Sequence, residues 1–338
     1  MNSTPSGIQA TFPQFRARAP WWGSDLQTVR NYIVHDYPDL TRWPAEQFFF
    51  PMTNGDRLSA SFHRPANNRK RPTVVLIHGF TGCADSAYVL ASARHLLEND
   101  YPILRLNLRG AGPTRQACRE MYHAGRSEDL RRVVGEIPKR LTENGIAAVG
   151  FSLGGNMLLK YLGEEGASAQ FDAAITVSAP IDLALATRRM QAPRNWVYHR
   201  WLVANTKREW LNGPSTLDSR QTAAVRRSRS IYGLDDDVVG PVNGFTDAED
   251  YYDRCSGKRF LGAIKVPTLV IHAADDPWVP VEMYRRVTWA VNDNLVPAIT
   301  PGGGHVGFHG RHGRWHDRRI VHFLEQLNFE TVGQAAVG

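Results

Sequence analysis

The chain has 338 residues, and 42% of them are hydrophobic, which is enough to bury a sizeable core in one large domain or in two. Its 40 Lys and Arg residues outnumber 33 Asp and Glu residues, giving a formal net charge of +7. No nucleic-acid-binding motif accompanies this charge, so we expect no nucleic-acid partner. The sequence contains no run of 18 apolar residues, so we expect no membrane span.

The first residues and the cysteines bear on the cellular compartment. Met1–Gly7 has neither a basic region nor an apolar one, which argues against a signal peptide. The three cysteines, Cys83, Cys118 and Cys255, are widely spaced and odd in number, which does not suggest a disulfide framework. Together these features predict a reducing, cytoplasmic setting.

Short apolar runs alternate with helical patterns along the chain. The turn signal at 53–56 predicts an antiparallel hairpin over residues 46–63. Further strands are predicted at Thr73–Ile77, Ile103–Leu108, Ala147–Phe151, Ala173–Val177, Thr268–Ala273 and Leu295–Thr300. Helices are predicted at Ala87–Leu97, Glu128–Leu141, Asn156–Leu162, Val281–Val291 and Trp315–Leu327. This order predicts an α/β fold whose mostly parallel sheet is buried on both faces and carries functional groups at the strand C-termini.

The interval from Ser178 to Lys265 is too long for one crossover between strands. We therefore predict a helical lid over residues 178–265, a core over 46–177 and 266–330, and an N-terminal extension over 1–45 that packs on the core. Substrate selection is expected to reside in the lid.

The first half of the predicted lid is strongly basic. Ten Lys and Arg residues lie between Arg188 and Arg229, against Glu209 and Asp218 as the acidic ones. Tryptophans are interleaved with them at positions 196, 201 and 210. This composition fits peripheral contact with an anionic membrane. The alternative is a solvated helical face whose tryptophans pack inward over the sheet.

The run Gly150-Phe151-Ser152-Leu153-Gly154 lies between a predicted strand and a predicted helix. A G-x-S-x-G in that position is typical of a nucleophile elbow, a sharp turn that lifts the serine hydroxyl above the sheet. Glycines two residues before and after the serine leave room for the adjoining segments. The sequence therefore predicts Ser152 as a nucleophile and the Leu153 amide, at a helix N-terminus, as an oxyanion donor.

A nucleophilic serine needs a base, an orienting carboxylate and a second oxyanion donor. The loop His78–Gly82 follows a predicted strand in the HG-x-x-G form, and Phe80 is its expected backbone donor. We expect His78 to organise this turn by hydrogen bonding rather than to act as the base. Asp275 and Asp276 follow the strand Thr268–Ala273, and His305 lies on the glycine-rich loop 301–308.

These motifs, in the chain order Ser, Asp, His, resemble the α/β-hydrolase superfamily. Four further segments make the resemblance more specific, to the YheT-like branch of serine esterases and lipases: residues 21–28, 107–110, 121–125 and 244–252. The resemblance covers about residues 12–327. It implies hydrolysis of short- to medium-chain carboxylic esters or acylglycerols by Ser152, Asp276 and His305, with no cofactor. Asp276 is preferred over Asp275 because the Asp-x-x-x-Pro pattern through Pro280 resembles the acid loop of the superfamily.

Several alternatives stay open. A thioesterase or amidase would use the same three residues, and a non-catalytic ligand-binding protein would keep the fold. The histidines at 309, 312 and 316 compete with His305, but we expect them on or before a surface helix. No Cys or carboxylate completes a metal-ligand set with them, so no metal is expected. A dehalogenase or epoxide hydrolase of this fold would need a carboxylate in place of Ser152.

Overall fold

Eight strands form one sheet in residues 12–34, 37–67 and 69–327, the part of the chain that the computed structural model describes. Their order across the sheet is β1-β2-β4-β3-β5-β6-β7-β8. The strands are β1 (Ala45–Pro51), β2 (Arg57–His63), β3 (Thr73–Ile77), β4 (Ile103–Asn107), β5 (Ile146–Phe151), β6 (Ala173–Val177), β7 (Thr268–Ala273) and β8 (Leu295–Thr300). A separate two-stranded ribbon consists of β9 (His309–Gly310) and β10 (Gly313–Arg314).

The sheet is parallel except at one edge. β1 and β2 form the predicted antiparallel hairpin, and β2 runs antiparallel to β4. All pairs from β4 to β8 are parallel. Every residue of β3 is buried: Val75 and Ile77 pack into one hydrophobic cluster, and Val74 and Leu76 pack into another. The alternation confirms a sheet covered on both faces, which is why these strands are apolar throughout.

Helices cover both faces and fill the long interval between β6 and β7. The helices are α1 (Ser24–Ile33), α2 (Ala87–Glu98), α3 (Ser127–Glu136), α4 (Leu153–Glu165), α5 (Leu183–Gln191), α6 (Trp196–Leu211), α7 (Ser219–Arg227), α8 (Ile231–Leu234), α9 (Gly240–Val242), α10 (Ala248–Cys255), α11 (Glu282–Arg285) and α12 (Trp315–Gln326). A π-helical turn, Asp235–Val239, joins α8 to α9.

Two predicted helices are shorter in the structure. The helix predicted over Glu128–Leu141 ends at Glu136, because Ile137 precedes a proline and takes an extended conformation. The helix predicted over Val281–Val291 is reduced to α11 and a separate 3₁₀ turn, Trp289–Val291. The β-branched pair Val287 and Thr288, which has low helix propensity, separates the two.

Helices α5 to α10 all lie within the predicted lid, residues 178–265. The division into extension, core and lid stays a prediction. Residues 1–11 and 35–36 of the extension, and residues 68 and 328–330 of the core, lie outside the described residues. The Met1–Gly7 stretch that argued against a signal peptide also lies outside them.

Candidate active site

The strand order places two of the predicted loops side by side. From β3 the chain crosses to β4 on one side, and from β4 it returns to β5 on the other side of β3. In a parallel sheet, such a reversal leaves a crevice at the carboxyl ends of the strands. Ile77, the last residue of β3, is in register with Gly150 near the end of β5. The His78–Gly82 loop and the turn at Ser152 therefore flank this crevice.

Ser152 has a backbone conformation that side-chain-bearing residues rarely adopt, with φ 49° and ψ −121°. The two glycines around it cannot be replaced without movement. A Cβ on Gly154 would lie 2.3 Å from the His78 carbonyl oxygen, and a Cβ on Gly150 would lie 2.7 Å from the Gly154 carbonyl oxygen. The turn between β5 and α4 thus has the close backbone approach that the G-x-S-x-G spacing predicts.

The structure brings Ser152, His305 and Asp276 into one hydrogen-bonded chain. Ser152 Oγ lies 2.9 Å from His305 Nε2, and His305 Nδ1 lies 2.8 Å from Asp276 Oδ2. A carboxylate accepts only, so the imidazole proton is assigned to Nδ1. Nε2 is then free to accept from the serine hydroxyl.

The Asp276 carboxylate is held on both oxygens. Oδ2 faces His305, while the backbone N–H groups of Trp278 and Val279 donate to Oδ1 at 2.8 and 2.9 Å. Burial raises the pKa of this carboxyl, but the facing His305 ring and the Val279 N–H outweigh it, so the pKa lies below its ordinary value. Asp276 is therefore ionised at neutral pH.

The neighbouring carboxylate takes a different position. Asp275 Oδ1 accepts a hydrogen bond from the Gly304 N–H at 2.9 Å, in the loop that carries His305. It holds that loop, whereas Asp276 is the carboxylate against the imidazole. The Trp278 ring stacks on the His305 ring, with centroids 4.5 Å apart and an interplanar angle of 27°.

Helix α1 supports the histidine loop from the other side. The Thr28 hydroxyl accepts from the His305 N–H at 2.9 Å. The Gln27 side chain bonds both the N–H and the carbonyl of His309, at 2.6 and 3.2 Å. Gly304 has φ 60°, and a Cβ there would lie 2.5 Å from the Ser24 carbonyl oxygen. Sequence reasoning missed this role, because 21–28 carries only a resemblance and no chemical motif of its own.

Two tyrosine hydroxyls accept hydrogen bonds from the backbone N–H groups on either side of Phe80. Tyr88 Oη accepts from the Gly79 N–H at 2.8 Å, and Tyr122 Oη accepts from the Thr81 N–H at 2.7 Å. Within the described residues, the N–H groups of Phe80 and Leu153 have no acceptor. Those two amides are the donors that the sequence predicts for an oxyanion. The two tyrosines were not found from the sequence.

His78 is engaged at both ring nitrogens. Its Nε2 accepts from the Leu108 N–H at 3.1 Å, so Nδ1 carries the proton and donates to the Gly79 carbonyl at 2.8 Å. Burial lowers the pKa of this ring to about 4, so it is neutral at physiological pH. The predicted organising role is confirmed.

The competing histidines lie apart from this arrangement. His312 is exposed ahead of α12, as expected. His309 and His316 are buried, contrary to the expectation of a surface location, because α12 packs against the sheet and His316 lies edge-on to Phe151 and Phe308. In the described part of the chain, no group of three or more His, Cys, Asp or Glu side chains is arranged to hold a metal ion.

Ser152 and His305 open into a cavity between the sheet and the lid, with about 710 Å³ of space that is partly open to solvent. Its walls are mostly apolar. Representative side chains of the lid wall are Leu183, Met190, Leu202, Ile231 and Tyr251. A mostly apolar lining around a few polar groups is typical of small-molecule sites.

Comparison with known proteins identifies the family of the chain. The profile of the α/β hydrolase fold matches residues 72–311. The chain is also 32% identical, over 270 residues, to Escherichia coli (strain K12) YheT, a protein named as an esterase, with 77% of each chain covered. The chain belongs to the α/β-hydrolase family. Within that family the match to YheT places this hydrolase in the YheT-like branch.

Two further proteins resemble this α/β-hydrolase. It is 28% identical over 303 residues to a monoacylglycerol lipase of Saccharomyces cerevisiae, covering 83% of this chain and 66% of that protein. A crystal structure of the Pyrococcus furiosus esterase Pf2001 has a TM-score of 0.58 and 18% identity, covering 84% of this chain and 93% of that one. The structural likeness confirms the fold.

Proposed function

We propose that this α/β-hydrolase cleaves carboxylic esters through an acyl-enzyme on Ser152, with His305 as the general base and Asp276 as the residue that orients it. The observation that carries the proposal is the hydrogen-bonded chain from Ser152 Oγ to His305 Nε2, at 2.9 Å, and from His305 Nδ1 to Asp276 Oδ2, at 2.8 Å. A nucleophile, a base and an orienting carboxylate in that connection are what acyl transfer requires.

The reaction would proceed in two steps. His305 takes the hydroxyl proton as Ser152 Oγ attacks the ester carbonyl, and Asp276 stabilises the imidazolium that forms. His305 then protonates the leaving alkoxide, which leaves the acyl group on Ser152. In the second step His305 takes a proton from water as the water oxygen attacks the acyl carbonyl, and the imidazolium then returns this proton to Ser152 Oγ as the acid leaves.

The oxyanion of each tetrahedral intermediate would be bound by the N–H groups of Phe80 and Leu153. Support comes from the fact that neither amide has an acceptor within the described residues. A developing negative charge in the cavity would supply the acceptor that these two N–H groups lack. Each such donor contributes on the order of 3 kcal/mol to barrier lowering in characterised enzymes.

We further propose short- to medium-chain esters or acylglycerols as substrates. The largely apolar cavity supports an acyl chain, and the similarity to proteins named esterase and monoacylglycerol lipase supports this substrate class. A panel of p-nitrophenyl esters of increasing acyl length, run beside acyl-CoA and anilide substrates, tests it. Faster turnover of the thioester or the anilide would make the protein a thioesterase or an amidase instead.

The decisive test is Ser152→Ala. We expect kcat to fall by at least about 10⁴-fold, because the hydroxyl supplies the chemistry. A fluorophosphonate probe should label the wild type and leave the variant unlabelled, while thermal melting shows that the variant is folded. Turnover of the variant at the wild-type rate would remove Ser152 from the mechanism.

A peripheral contact between the lid and an anionic membrane is also proposed. Trp196 and Trp201 on α6 are 60% and 39% exposed, whereas Trp210 is buried, so the tryptophans do not all pack inward. The Tyr32 ring of α1 lies 5.1 Å from the Trp201 ring and extends the exposed apolar surface. Aromatic side chains beside basic ones favour the headgroup region of a bilayer.

A cytoplasmic location of the protein is also proposed. No helix in the described residues is both long and apolar enough to cross a bilayer. The three cysteines are free, which supports a reducing, cytoplasmic location.

A further inference from the structure

The lid wall of the cavity contains one acidic side chain that the proposed mechanism does not use. Asp235 begins the π-helical turn Asp235–Val239 and lines the same cavity as Ser152 and His305. It is only 8% exposed. Single π-helical turns inside helical segments occur frequently at functional sites.

The hydrogen bonding of Asp235 is incomplete. Tyr252 Oη donates to Asp235 Oδ2 at 2.6 Å. Within the described residues, no hydrogen-bond donor reaches the second oxygen, Oδ1. This oxygen is not fully buried, and the residue lines the cavity, so Oδ1 is accessible to a bound molecule. A carboxyl group has room for several hydrogen bonds, and a molecule in the cavity can supply a partner for Oδ1.

The missing hydrogen-bond partner is an uncharged one. The neighbouring cavity walls, including Ile231 and Tyr251, are uncharged. Burial raises the pKa of Asp235 to about 7, so both the neutral acid and the carboxylate are populated near physiological pH. An aliphatic hydroxyl is small and uncharged, and it can donate to Oδ1 of the carboxylate or accept from Oδ1 of the neutral acid.

We infer that Asp235, held by Tyr252, recognises a hydroxyl group carried by the substrate at a distance from the scissile carbonyl. The inference rests on the proposed ester hydrolysis at Ser152 and narrows its substrates to hydroxyl-bearing esters. The hydroxyl belongs to the alcohol part, as in a glycerol monoester, or to the acyl chain, as in a hydroxy-acid ester. Asp235 is thus a specificity residue of the lid, while the reacting atoms lie on the sheet side.

The test compares matched pairs of esters. Glycerol monobutyrate and pentyl butyrate have alcohol parts of equal size, and methyl hydroxyhexanoate and methyl heptanoate have acyl parts of equal size. For the wild type, kcat/KM should favour the hydroxyl ester of one pair by about 10-fold or more, which corresponds to one buried hydrogen bond. The pair that shows the preference identifies the hydroxyl-bearing part.

Substitution then assigns the preference to Asp235. Asp235→Leu should reduce the ratio of the two kcat/KM values to about one, and Asp235→Asn, which keeps an acceptor, should retain part of it. Asp237→Asn is the matched control, since Asp237 is exposed and lies outside the cavity lining, and it should keep the wild-type ratio. Melting curves and active-site titration with a fluorophosphonate establish that each variant is folded and competent.

Three results overturn the inference while leaving ester hydrolysis intact. These are a wild type without preference in either pair, an Asp235→Leu variant that keeps the preference, and a stronger preference for butyrylcholine over its uncharged isostere. The last result would make Asp235 a cation site. Failure of the folded wild type to hydrolyse any of these esters overturns the proposed function itself, and the inference falls with it.

Discussion

The two walls of the cavity are built in different ways. On the sheet side, Ser152, Phe80 and His305 lie on loops whose backbones are fixed by close approach and by hydrogen bonds, as at Gly154, where a Cβ would lie 2.3 Å from a carbonyl oxygen. On the lid side, Leu202 and Asp235 project from helices held by side-chain packing and caps. A wall fixed through its backbone positions reacting atoms, whereas a wall of packed side chains can vary in shape.

This difference predicts which kinetic constant each wall controls. Changes on the sheet side should lower kcat, because they disturb groups that act in the transition state. Changes on the lid side should alter the relative kcat/KM for different substrates, or the surface on which the enzyme acts.

After Ser152→Ala, the largest effect is expected within the sheet wall, at the two adjacent carboxylates. Asp276→Asn should lower kcat by about 10³–10⁴-fold, because an amide at that position stabilises the wrong tautomer of His305. Asp275→Asn is the matched control and should cost far less, since Asp275 binds the Gly304 N–H rather than the imidazole. Steady-state kinetics on p-nitrophenyl butyrate measures both. The reverse ranking would make Asp275 the orienting acid.

Asp235, in the lid, should affect how the stability of the fold depends on pH rather than the rate of the chemical step. The pKa of Asp235 is raised from 3.8 to about 7 by burial, so the folded protein binds more protons than the unfolded chain between those values. Stability of the wild type should therefore fall as pH rises through that interval, by up to about 4 kcal/mol from this group. Asp235→Asn should lack this loss.

Urea unfolding at about pH 4 and about pH 8 tests this. The free energy of unfolding of Asp235→Asn should increase relative to that of the wild type as pH rises. Glu209, whose pKa burial also raises to about 7, contributes equally to both proteins and cancels in the difference. Asp237→Asn should run parallel to the wild type. If Asp235→Asn also runs parallel, Asp235 titrates alike in the folded and unfolded states.

The sheet wall could be predicted from the sequence in far more detail than the lid wall. Strands β3, β6, β7 and β8 have the predicted bounds, because apolar runs ending in turn residues are local signals. The elbow followed from two glycines four residues apart. By contrast, Tyr122 and Thr81 are 41 residues apart, and Thr28 and His305 are 277 apart, and no local pattern links them. For residues 178–265 the sequence predicts helices without their bounds, since these helices are short and their contacts are tertiary.

A smaller effect, on binding to membranes, is expected at the outer surface of the lid. Arg226, Arg227 and Arg229 are exposed at the end of α7 and just beyond it. If they face an anionic bilayer, each contributes on the order of 1 kcal/mol, so reversing all three to Glu should weaken vesicle binding by at least roughly 100-fold at low salt. Screening should shrink the difference as salt rises.

Co-sedimentation with phosphatidylserine vesicles measures this binding, and phosphatidylcholine vesicles serve as the uncharged reference. Reversal of Arg285, Arg286 and Arg311, three exposed arginines outside the predicted lid, makes the same change in net charge and should have less effect. Absence of wild-type binding at low ionic strength would leave the solvated-face interpretation of the basic segment.

The smallest effect should come from the support behind the sheet wall. Tyr122→Phe removes the acceptor of the Thr81 N–H and frees the segment next to the Phe80 amide, so kcat should fall by about 10-fold with KM little altered. Tyr161→Phe is the matched control. Its buried hydroxyl also accepts one backbone N–H, that of Gln170, but on α4 and away from the cavity lining. The Tyr122 hydroxyl also donates to Glu209 Oε2 at 3.3 Å, so Tyr122→Phe should lose at least as much stability as Tyr161→Phe, and only Tyr122→Phe should lose kcat. Equal losses of kcat would mean that Tyr122 supports the fold in general. The control of kcat by the sheet wall would then depend on the side chains of Ser152, Asp276 and His305 rather than on the loop behind them.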